Sequence, residues 1–286
     1  MTLRDTIREL TRRHLDAGYA VASQTATAVG FVGNTLPDHP GIIELPCSDV
    51  SNAGVMVGYA LAGKRPIYVI RYQGFSWLNA AAIVNYAAKS KALWGKPCPM
   101  LIRGIAMEGS IGPVAGSSHH ALWNMPGIRI YSPMTSREWA TAYAEFMAGD
   151  DPVYLSEHRG AWDNEGAADD VFHVAPKAVL FPISITRFEC YRAAVFGALP
   201  VSVCPIFRLK PLEVSPAALD ALSRIGRGMV IDDANTPFAK AVAHDLASLT
   251  GAKMTVLGLE DRTAGFYRDN LPPTAKQIID HVNQSA

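Results

Sequence analysis

The sequence carries no net charge, has few cysteines and contains no long hydrophobic run. Lys+Arg and Asp+Glu both number 26 in 286 residues, which argues against nucleic acid or an anionic membrane as the main partner. No apolar run reaches the roughly 18–20 residues that span a bilayer, and the charged N-terminus does not fit a signal peptide. The four cysteines lack CxxC spacing, so we expect neither a zinc site nor a disulfide framework, and the cytoplasm is the expected compartment.

Several motifs of well-known catalytic and nucleotide sites are also absent. The chain contains no Walker A sequence and no well-placed GxGxxG, so nucleotide binding by such loops is not indicated. It contains neither a GxSxG elbow nor an HExxH pair. The only His pair is His119-His120, and no further ligands at suitable spacing predict a metal site. A His pair at the end of a Gly/Ser loop is also typical of a solvated turn, and both interpretations stay open.

The composition and pattern indicate a packed α/β protein. Hydrophobic residues make up 49% of the chain and charged residues 18%, which suits a globular fold. Apolar strand patterns alternate with helical patterns, which predicts mostly parallel sheets covered by helices on both faces. A polar stretch at 159–177 is the best linker candidate. We therefore expect two doubly wound domains, a larger one at 1–165 and a smaller one at 166–286.

Residues 41–75 contain the strongest strand-turn-helix signal. A buried strand is predicted at 42–45, a polar turn at 47–51 and a buried helix at 52–62. Asp49 thus lies between the end of a strand and the start of a helix, where open α/β sheets bind ligands. A plain structural role is equally open, because Asp49 with Ser48 could cap that helix.

Two further stretches carry candidate residues. Phe75 precedes an Ala-rich helix predicted at 76–94, which is apolar on most faces and is expected to pack in the core or against a second copy. On pattern alone, Phe75 is an ordinary core residue. The Gly/Ser-rich loop 108–120 ends in His119 and His120, and its length and flexibility suggest function rather than scaffold.

Small and Pro/Gly residues also recur in a definite order along the chain. The most distinctive run is Pro46-x-Ser48-Asp49-x-x-x-Ala53-Gly54-x-x-x-Gly58-x-Ala60-x-x-Gly63-x-Arg65-Pro66-Ile67, followed by Asn85-x-Ala87-Ala88-Lys89, Arg103-Gly104, Gly116-x-x-His119, Pro126-Gly127, Asp151-Pro152-Val153 and Val230-Ile231-Asp232-Asp233. This order resembles the beta subunit of thiamine-diphosphate-dependent 2-oxo-acid dehydrogenases and the C-terminal half of transketolase. The resemblance covers most of the chain.

The resemblance implies that two polypeptides together bind the cofactor. It makes residues 1–165 a pyrimidine-binding domain and residues 166–286 a transketolase-type C-terminal domain. The chain lacks the GDG motif that holds the cofactor's diphosphate in this family. The diphosphate and its Mg²⁺ are therefore expected in an alpha-type partner subunit, in an α2β2 heterotetramer that shares thiamine diphosphate between its chains.

The resemblance also implies roles for the candidate residues. Asp49 stands where the family has a glutamate that shares a proton with N1′ of the aminopyrimidine, and it is one methylene shorter. Phe75 matches the aromatic residue that stacks on the pyrimidine, and Cys47 joins these two as a cofactor-binding candidate. His119 matches a loop histidine that faces the substrate, and His120 beside it is the remaining catalytic candidate.

The expected function is that of an enzyme subunit acting on a C–C bond next to a carbonyl. Decarboxylation of a 2-oxo acid with acyl or aldehyde transfer is the leading hypothesis. A split transketolase-like ketol transfer from a ketose, or a catalytically silent partner subunit, are the alternatives. A sugar phosphate would need several basic side chains, whereas the sequence offers His119 and His120 with Arg71 and Arg103 near strand ends. This favours a small substrate that is unphosphorylated or held differently.

Overall fold

The structure is a computed structural model that describes residues 1–28, 30–107, 116–166, 169–259 and 271–284. The chain divides into two compact units, with the described residues up to 166 in the first and those from 169 onward in the second. The loop predicted at 108–120 lies mostly outside the described residues, which resume at Gly116.

The first unit is built on six parallel strands. Its strands are β1 (Val21–Gln24), β2 (Ile42–Leu45), β3 (Ile67–Ile70), β4 (Leu101–Ala106), β5 (Arg129–Tyr131) and β6 (Val153–His158), and they lie in the order β2-β1-β3-β4-β6-β5. Its helices are α1 (Leu3–Asp16), α2 (Gly30–Asn34), α3 (Asp49–Leu61), α4 (Ser76–Ala82), α5 (Ser90–Trp94) and α6 (Ser136–Ala148). Strands β3, β4 and β6 are buried along their whole length, as expected for a parallel sheet covered on both faces. The predicted α/β class is confirmed.

The helix after β2 begins earlier than the sequence predicts. Helix α3 starts at Asp49 rather than at 52, and Ser48 occupies the N-cap position without a side-chain capping bond. Asp49 therefore lies in the first turn of the helix, where the positive end of the helix dipole favours its carboxylate.

The single continuous helix predicted at 76–94 is wrong in shape, and several of its large side chains do not pack in the core of this chain; packing against a second copy stays a prediction. Helix α4 passes into a π-helical turn at Ile83–Ala87, and α5 follows as a separate short helix. Large apolar side chains of this region are exposed, namely Trp77, Leu78, Tyr86, Leu93 and Trp94. Within the described chain, no neighbouring element covers these side chains.

Helix α2 is a left-handed turn, which the sequence does not indicate. Phe31, Val32 and Gly33 have φ of 52, 53 and 61°. A β-branched residue such as Val32 rarely adopts this conformation. Tertiary contacts hold it: Arg4 donates a hydrogen bond to the Gly33 carbonyl, and a Cβ on Gly33 would lie 2.7 Å from the Trp162 ring. The turn therefore depends on residues from both ends of the unit.

The second unit has a smaller parallel sheet. Four strands, β7 (Ala178–Pro182), β8 (Val201–Val203), β11 (Arg227–Asn235) and β12 (Lys253–Leu259), lie in the order β12-β11-β7-β8. Its helices are α7 (Thr186–Val195), α8 (Pro216–Ile225), α9 (Thr236–Thr250) and α10 (Ala275–Gln284), and an antiparallel pair, β9 (Arg208–Lys210) with β10 (Leu212–Glu213), completes it. Strand β7 ends at Pro182, and Ser184, with φ of 59°, lies beyond its end.

Candidate active site

A cavity of about 170 Å³ opens at the carboxyl ends of β1, β2 and β3. Asp49, Cys47 and Phe75 all line it. The sequence pattern placed Asp49 after a strand, and the resemblance added Phe75 and Cys47; the parallel sheet brings the three to one edge. We call this space the Asp49 cavity.

The carboxylate of Asp49 is half-buried and oriented by a buried amide. Asn79 Nδ2 donates to Asp49 Oδ1 at 2.9 Å, and the same amide is fixed by the Tyr68 hydroxyl, which donates to Asn79 Oδ1 at 2.6 Å. Burial, with a smaller contribution from the Asp49 charge, raises the pKa of Tyr68, so its hydroxyl remains a donor. Asp49 is thus held by side-chain contacts from α4, and its Oδ2 accepts no hydrogen bond from the described residues.

Aromatic and thiol side chains complete the walls of the Asp49 cavity. Phe75 is partly buried, and its ring lies 6.1 Å from the ring of Tyr72. Cys47 is an exposed free thiol. A cavity lined by a carboxylate and an aromatic ring suits a flat heterocycle with a polar edge, so these residue types fit an aminopyrimidine.

His119 is anchored to the same segment that carries Phe75. Its backbone N–H donates to Gln73 Oε1 at 2.5 Å, and its ring meets the Trp77 ring edge-on at 6.4 Å. Burial and the neighbouring His120 lower the pKa of His119 to about 4. A hydrogen bond with the Ser117 backbone acts in the opposite direction and is the smaller effect. The ring is therefore neutral near pH 7, and its Nδ1 has no hydrogen-bond partner in the described chain.

His120 is placed differently from His119. It is fully buried, and its Nδ1 lies 3.3 Å from the Ser156 hydroxyl. Gln73 also donates to Ser156 Oγ at 3.0 Å, so the two histidines are tied to β6 through one small network. Within the described chain, no cluster of three or more His, Cys, Asp or Glu side chains could hold a metal ion.

Arg103 is not available at a strand end, contrary to the sequence interpretation. It lies within β4, is fully buried, and forms a bidentate ion pair with Glu157 at 2.6 and 2.9 Å. Arg103 Nη2 also donates a hydrogen bond to Thr35 Oγ1, and Trp139 Nε1 donates one to Glu157 Oε1. This pair belongs to the core rather than to a ligand site.

A second, smaller cavity of about 80 Å³ lies beside the first, at the carboxyl ends of β3, β4 and β6. Arg71 and Arg159 line it together with Trp162, and Arg71 lines the Asp49 cavity as well. Sequence reasoning noted Arg71 only as a residue near a strand end and missed Arg159. The one available signal was the position of Arg159 directly after a buried strand, at β6.

A single segment, residues 71–79, links these features. It follows β3 and carries the side chains that contact Asp49, His119 and the second cavity. The fold and this site together define a parallel α/β protein with a ligand crevice at a strand-end carboxylate, and residues 23–163 match the family model described as the transketolase pyrimidine-binding domain.

Comparisons with curated proteins extend the similarity. The chain is 25% identical over 280 residues to the pyruvate dehydrogenase E1 component subunit beta of Leifsonia xyli, covering 85% of this chain and 80% of that protein. It is 32% identical to the human mitochondrial counterpart over 176 residues, covering 57% and 47%. It is 23% identical to the acetoin:2,6-dichlorophenolindophenol oxidoreductase subunit beta of Cupriavidus necator, covering 68% and 62%. The chain thus spans between about half and four-fifths of the length of these relatives.

Among solved structures, the chain is similar to an inactive beta4 tetramer of a split gene transketolase. The TM-score is 0.73 at 14% identity, over 99% of this chain and 96% of that one, which supports the shared two-unit fold. The first unit therefore matches the transketolase pyrimidine-binding domain, and the chain is similar to beta subunits of pyruvate dehydrogenase E1 components. None of the helices described here has the length and apolar character needed to cross a bilayer.

Proposed function

We propose that this chain is the beta-type subunit of a two-chain thiamine-diphosphate enzyme that decarboxylates a 2-oxo acid and transfers the resulting acyl or aldehyde unit. The observation that carries the proposal is the half-buried Asp49 carboxylate in the first turn of α3, lining one cavity with Phe75 in a pyrimidine-binding domain. The bound cofactor would supply a carbanion and an electron sink next to the substrate carbonyl.

Asp49 is the residue proposed to hold a proton at the pyrimidine N1′. Its Oδ1 is fixed by Asn79, which leaves Oδ2 as the oxygen directed to a ligand. The helix N-terminus stabilises the ionised carboxylate, and the partial burial strengthens a hydrogen bond made to it. The shorter Asp side chain would reach the pyrimidine where α3 lies closer to the cavity or through one water molecule.

Phe75 and Cys47 are proposed to position the same ring. Phe75 is braced by Tyr72, so its face can stack on a pyrimidine without further ordering. Cys47 lies at the open side of the cavity, where a thiol provides a small contact surface.

His119 is proposed to contact the substrate, and His120 to support it. The pKa of about 4 keeps the His119 ring uncharged at pH 7, so the proposed contact with a substrate carbonyl or hydroxyl is a hydrogen bond to a neutral ring. The buried His120 stiffens the loop through Ser156.

The cofactor's diphosphate and Mg²⁺ are proposed to be held by an alpha-type partner subunit. The chain has no GDG motif, and the first unit exposes an apolar set, Val50, Val55, Trp77, Leu78 and Tyr86, on and around α3 and α4. An exposed patch rich in Trp and Tyr is typical of protein interfaces. An α2β2 heterotetramer would bury it, with residues 166–286 as the transketolase-type C-terminal domain of each beta chain.

The silent-subunit alternative is favoured by one observation. Asp49 is shorter than the family's glutamate, and one of its oxygens is already bound by Asn79. A carboxylate that serves only α3 and α4 would show the same contacts.

Reconstitution with the alpha-type chain distinguishes a catalytic beta subunit from a silent one. The partner is first identified by native mass spectrometry of the tagged chain isolated from its own cells. Proton–deuterium exchange at C2 of the bound cofactor is then followed by NMR in the reconstituted complex. We expect Asp49→Asn to slow exchange by about 100-fold or more, the scale of general acid–base catalysis.

Two control variants make the result specific. Asp49→Glu should keep or raise the exchange rate, because it restores the longer carboxylate. Asp220→Asn removes one exposed carboxylate from the second unit and should leave the rate unchanged. Wild-type exchange in Asp49→Asn would remove the catalytic role and leave the silent-subunit reading.

A further inference from the structure

A single buried amide, that of Asn79, connects the carboxylate and the aromatic residue of the Asp49 cavity. Its Nδ2 donates to Asp49 Oδ1 at 2.9 Å and to the Phe75 backbone carbonyl at 2.9 Å, so both hydrogens on this nitrogen are engaged. Asp49 lies in the first turn of α3, and Phe75 is the N-cap residue of α4. One side chain therefore holds the carboxylate and the backbone that carries the aromatic ring at a fixed separation.

Tyr68 determines which way round the Asn79 amide faces. It lies in β3 with 1% of its surface exposed, and its hydroxyl donates to Asn79 Oδ1 at 2.6 Å. An amide turned by half a rotation would set its oxygen against two acceptors, the Asp49 carboxylate and the Phe75 carbonyl. The observed orientation is the one that satisfies every polar group of Asn79.

Stability alone does not require these residue types. Tyr68 and Asn79 are both buried, and apolar side chains of the same shape can hold neighbouring elements together about as well as a buried hydrogen-bonded pair. In the described chain, the Asn79 amide is the one hydrogen-bond donor to Asp49, which accepts nothing from the backbone of its own helix. The Asp49 carboxylate is thus oriented by α4 rather than by α3.

A short catalytic carboxylate needs such an orienting contact. Asp49 is proposed to share a proton with the pyrimidine N1′, so its free oxygen has to lie at a defined distance and direction from that atom. Misplacement of a catalytic group by about 1 Å can reduce a rate by about 100-fold. The bond from Asn79 restricts rotation of the carboxylate through Oδ1 and leaves Oδ2 for the ligand.

We propose that Asn79, oriented by Tyr68, is a positioning residue that fixes Asp49 relative to Phe75 for the pyrimidine ring of the cofactor. The positioning role rests on the proposed function, whereas the hydrogen-bond network is independent of it. Asn79 and Tyr68 do not touch the cofactor in this arrangement and act through Asp49 and Phe75. The network gives the aspartate a defined place where the resemblance implies a longer glutamate.

The network is tested first in the full chain, without cofactor or partner. Exchange of the Asn79 side-chain amide protons with water is followed by NMR on the chain labelled at asparagine, and Asn79→Ala assigns the signal. The exposed Asn283 of α10 is the internal reference. We expect the Asn79 protons to exchange at least about tenfold more slowly than those of Asn283, and faster in Asp49→Ala. Exchange as fast as that of Asn283 would overturn the network.

The positioning role is tested in the reconstituted complex by two measurements, proton–deuterium exchange at C2 of the bound cofactor and the dissociation constant of thiamine diphosphate. We expect Asn79→Ala to slow C2 exchange by about 10- to 100-fold. Tyr68→Phe, which deletes only the buried hydroxyl, should slow it by about twofold to tenfold, the equivalent of one neutral hydrogen bond. The dissociation constant should change much less than the exchange rate, because the diphosphate is proposed to be held by the partner.

The control Tyr59→Phe removes a hydroxyl of α3 that makes no hydrogen bond in the described chain, and it should leave both measurements unchanged. Wild-type exchange in Asn79→Ala and Tyr68→Phe would overturn the positioning role. A dissociation constant that rises in step with the loss of exchange would do the same, because it would indicate a general loss of the site.

A double-mutant cycle separates an effect through Asp49 from an effect on the fold. In the Asp49→Asn background, Asn79→Ala should cause no further loss of C2 exchange, because the carboxylate that it orients is already gone. Equal losses from Asn79→Ala in both backgrounds would contradict action through Asp49.

The same cycle distinguishes failure of this role from failure of the proposed function. Slow exchange in Asp49→Asn with wild-type exchange in Asn79→Ala would keep the enzyme and remove the positioning role. Wild-type exchange in Asp49→Asn would overturn the catalytic role of Asp49 and the positioning role with it.

Discussion

Histidines and arginines at the two ends of the six parallel strands differ in how many hydrogen-bonding partners they have. At the amino end, His14 is fully buried and both ring nitrogens are engaged, with the Tyr143 hydroxyl at 3.0 Å and the Arg65 carbonyl at 2.8 Å. At the carboxyl end, His119 leaves Nδ1 without a partner in the described chain. The pKa of each is lowered to about 4 by burial, so the pKa alone does not distinguish them.

The arginines follow the same division. Arg65 donates to the carbonyls of Phe146 and Gly149 at 3.0 and 2.8 Å, at the C-terminal end of α6. Arg159 at the other end contacts a thioether sulfur and a ring. Within the described chain, His14 and Arg65 thus engage polar partners at the amino end of the sheet, whereas His119 Nδ1 and most of the Arg159 guanidinium do not at the carboxyl end.

The largest expected effect lies between the two ends, in the Arg103–Glu157 pair. Glu157→Ala leaves Arg103 buried and unpaired, which should lower the free energy of unfolding by about 3–5 kcal/mol. Urea denaturation of the chain gives this value. The double variant Arg103→Met/Glu157→Leu should recover most of the loss, and a loss below about 1 kcal/mol in Glu157→Ala would contradict the structural role.

The contrast between Arg65 and Arg159 predicts a smaller difference in the free energy of unfolding. Arg65→Gln removes two charge-assisted hydrogen bonds and should lower the free energy of unfolding by about 1.5–3 kcal/mol. Arg159→Gln should change it by no more than about 0.5 kcal/mol, as for an ordinary surface position. Equal losses in the two variants, measured in the same urea series, would remove the distinction between the two ends.

The histidines predict a pH dependence of stability. Their folded pKa of about 4 lies below the unfolded value of 6.5, so the unfolded state binds protons first as the pH falls. Stability should be fully present above about pH 6.5 and decrease down to about pH 4, by at most about 1.4 kcal/mol per pH unit for each histidine.

Variants of the two histidines test this pH dependence of stability. His14→Gln and His119→Gln should each reduce the slope of the free energy of unfolding between pH 6.5 and 4. At pH 7.5, only His14→Gln should lower stability, by about 1–2 kcal/mol, because it loses buried hydrogen bonds. A similar loss in His119→Gln at pH 7.5 would show that His119 is structural as well.

Much of the sheet could be predicted from the sequence, because its strands are short, apolar and separated by clear turn signals. Strand β2 has the predicted bounds. Helix α3 was predicted three residues short, because Ser48 and Asp49 were assigned to a turn while they start the helix. In the second unit, adjoining apolar runs around Pro182 concealed the end of β7.

The site was predictable only in part, for a physical reason. Asp49, Phe75 and Cys47 follow strands that a parallel sheet brings to one edge, so the sequence order places them together. The orientation of Asp49 by Asn79, the burial of His120 and the joint exposure of Arg71 to two cavities depend on tertiary packing. No local pattern encodes such contacts.

The left-handed turn α2 has a consequence for how the first unit folds. Gly33, which follows Phe31 and Val32 in this turn, lies against the ring of Trp162, which is far along the chain, after β6. Local sequence alone disfavours the turn, so it can form only once β6 and Trp162 have docked. The smaller cavity beside the Asp49 cavity, which Val32, Gly33 and Trp162 help to line, therefore needs segments from both ends of the first unit.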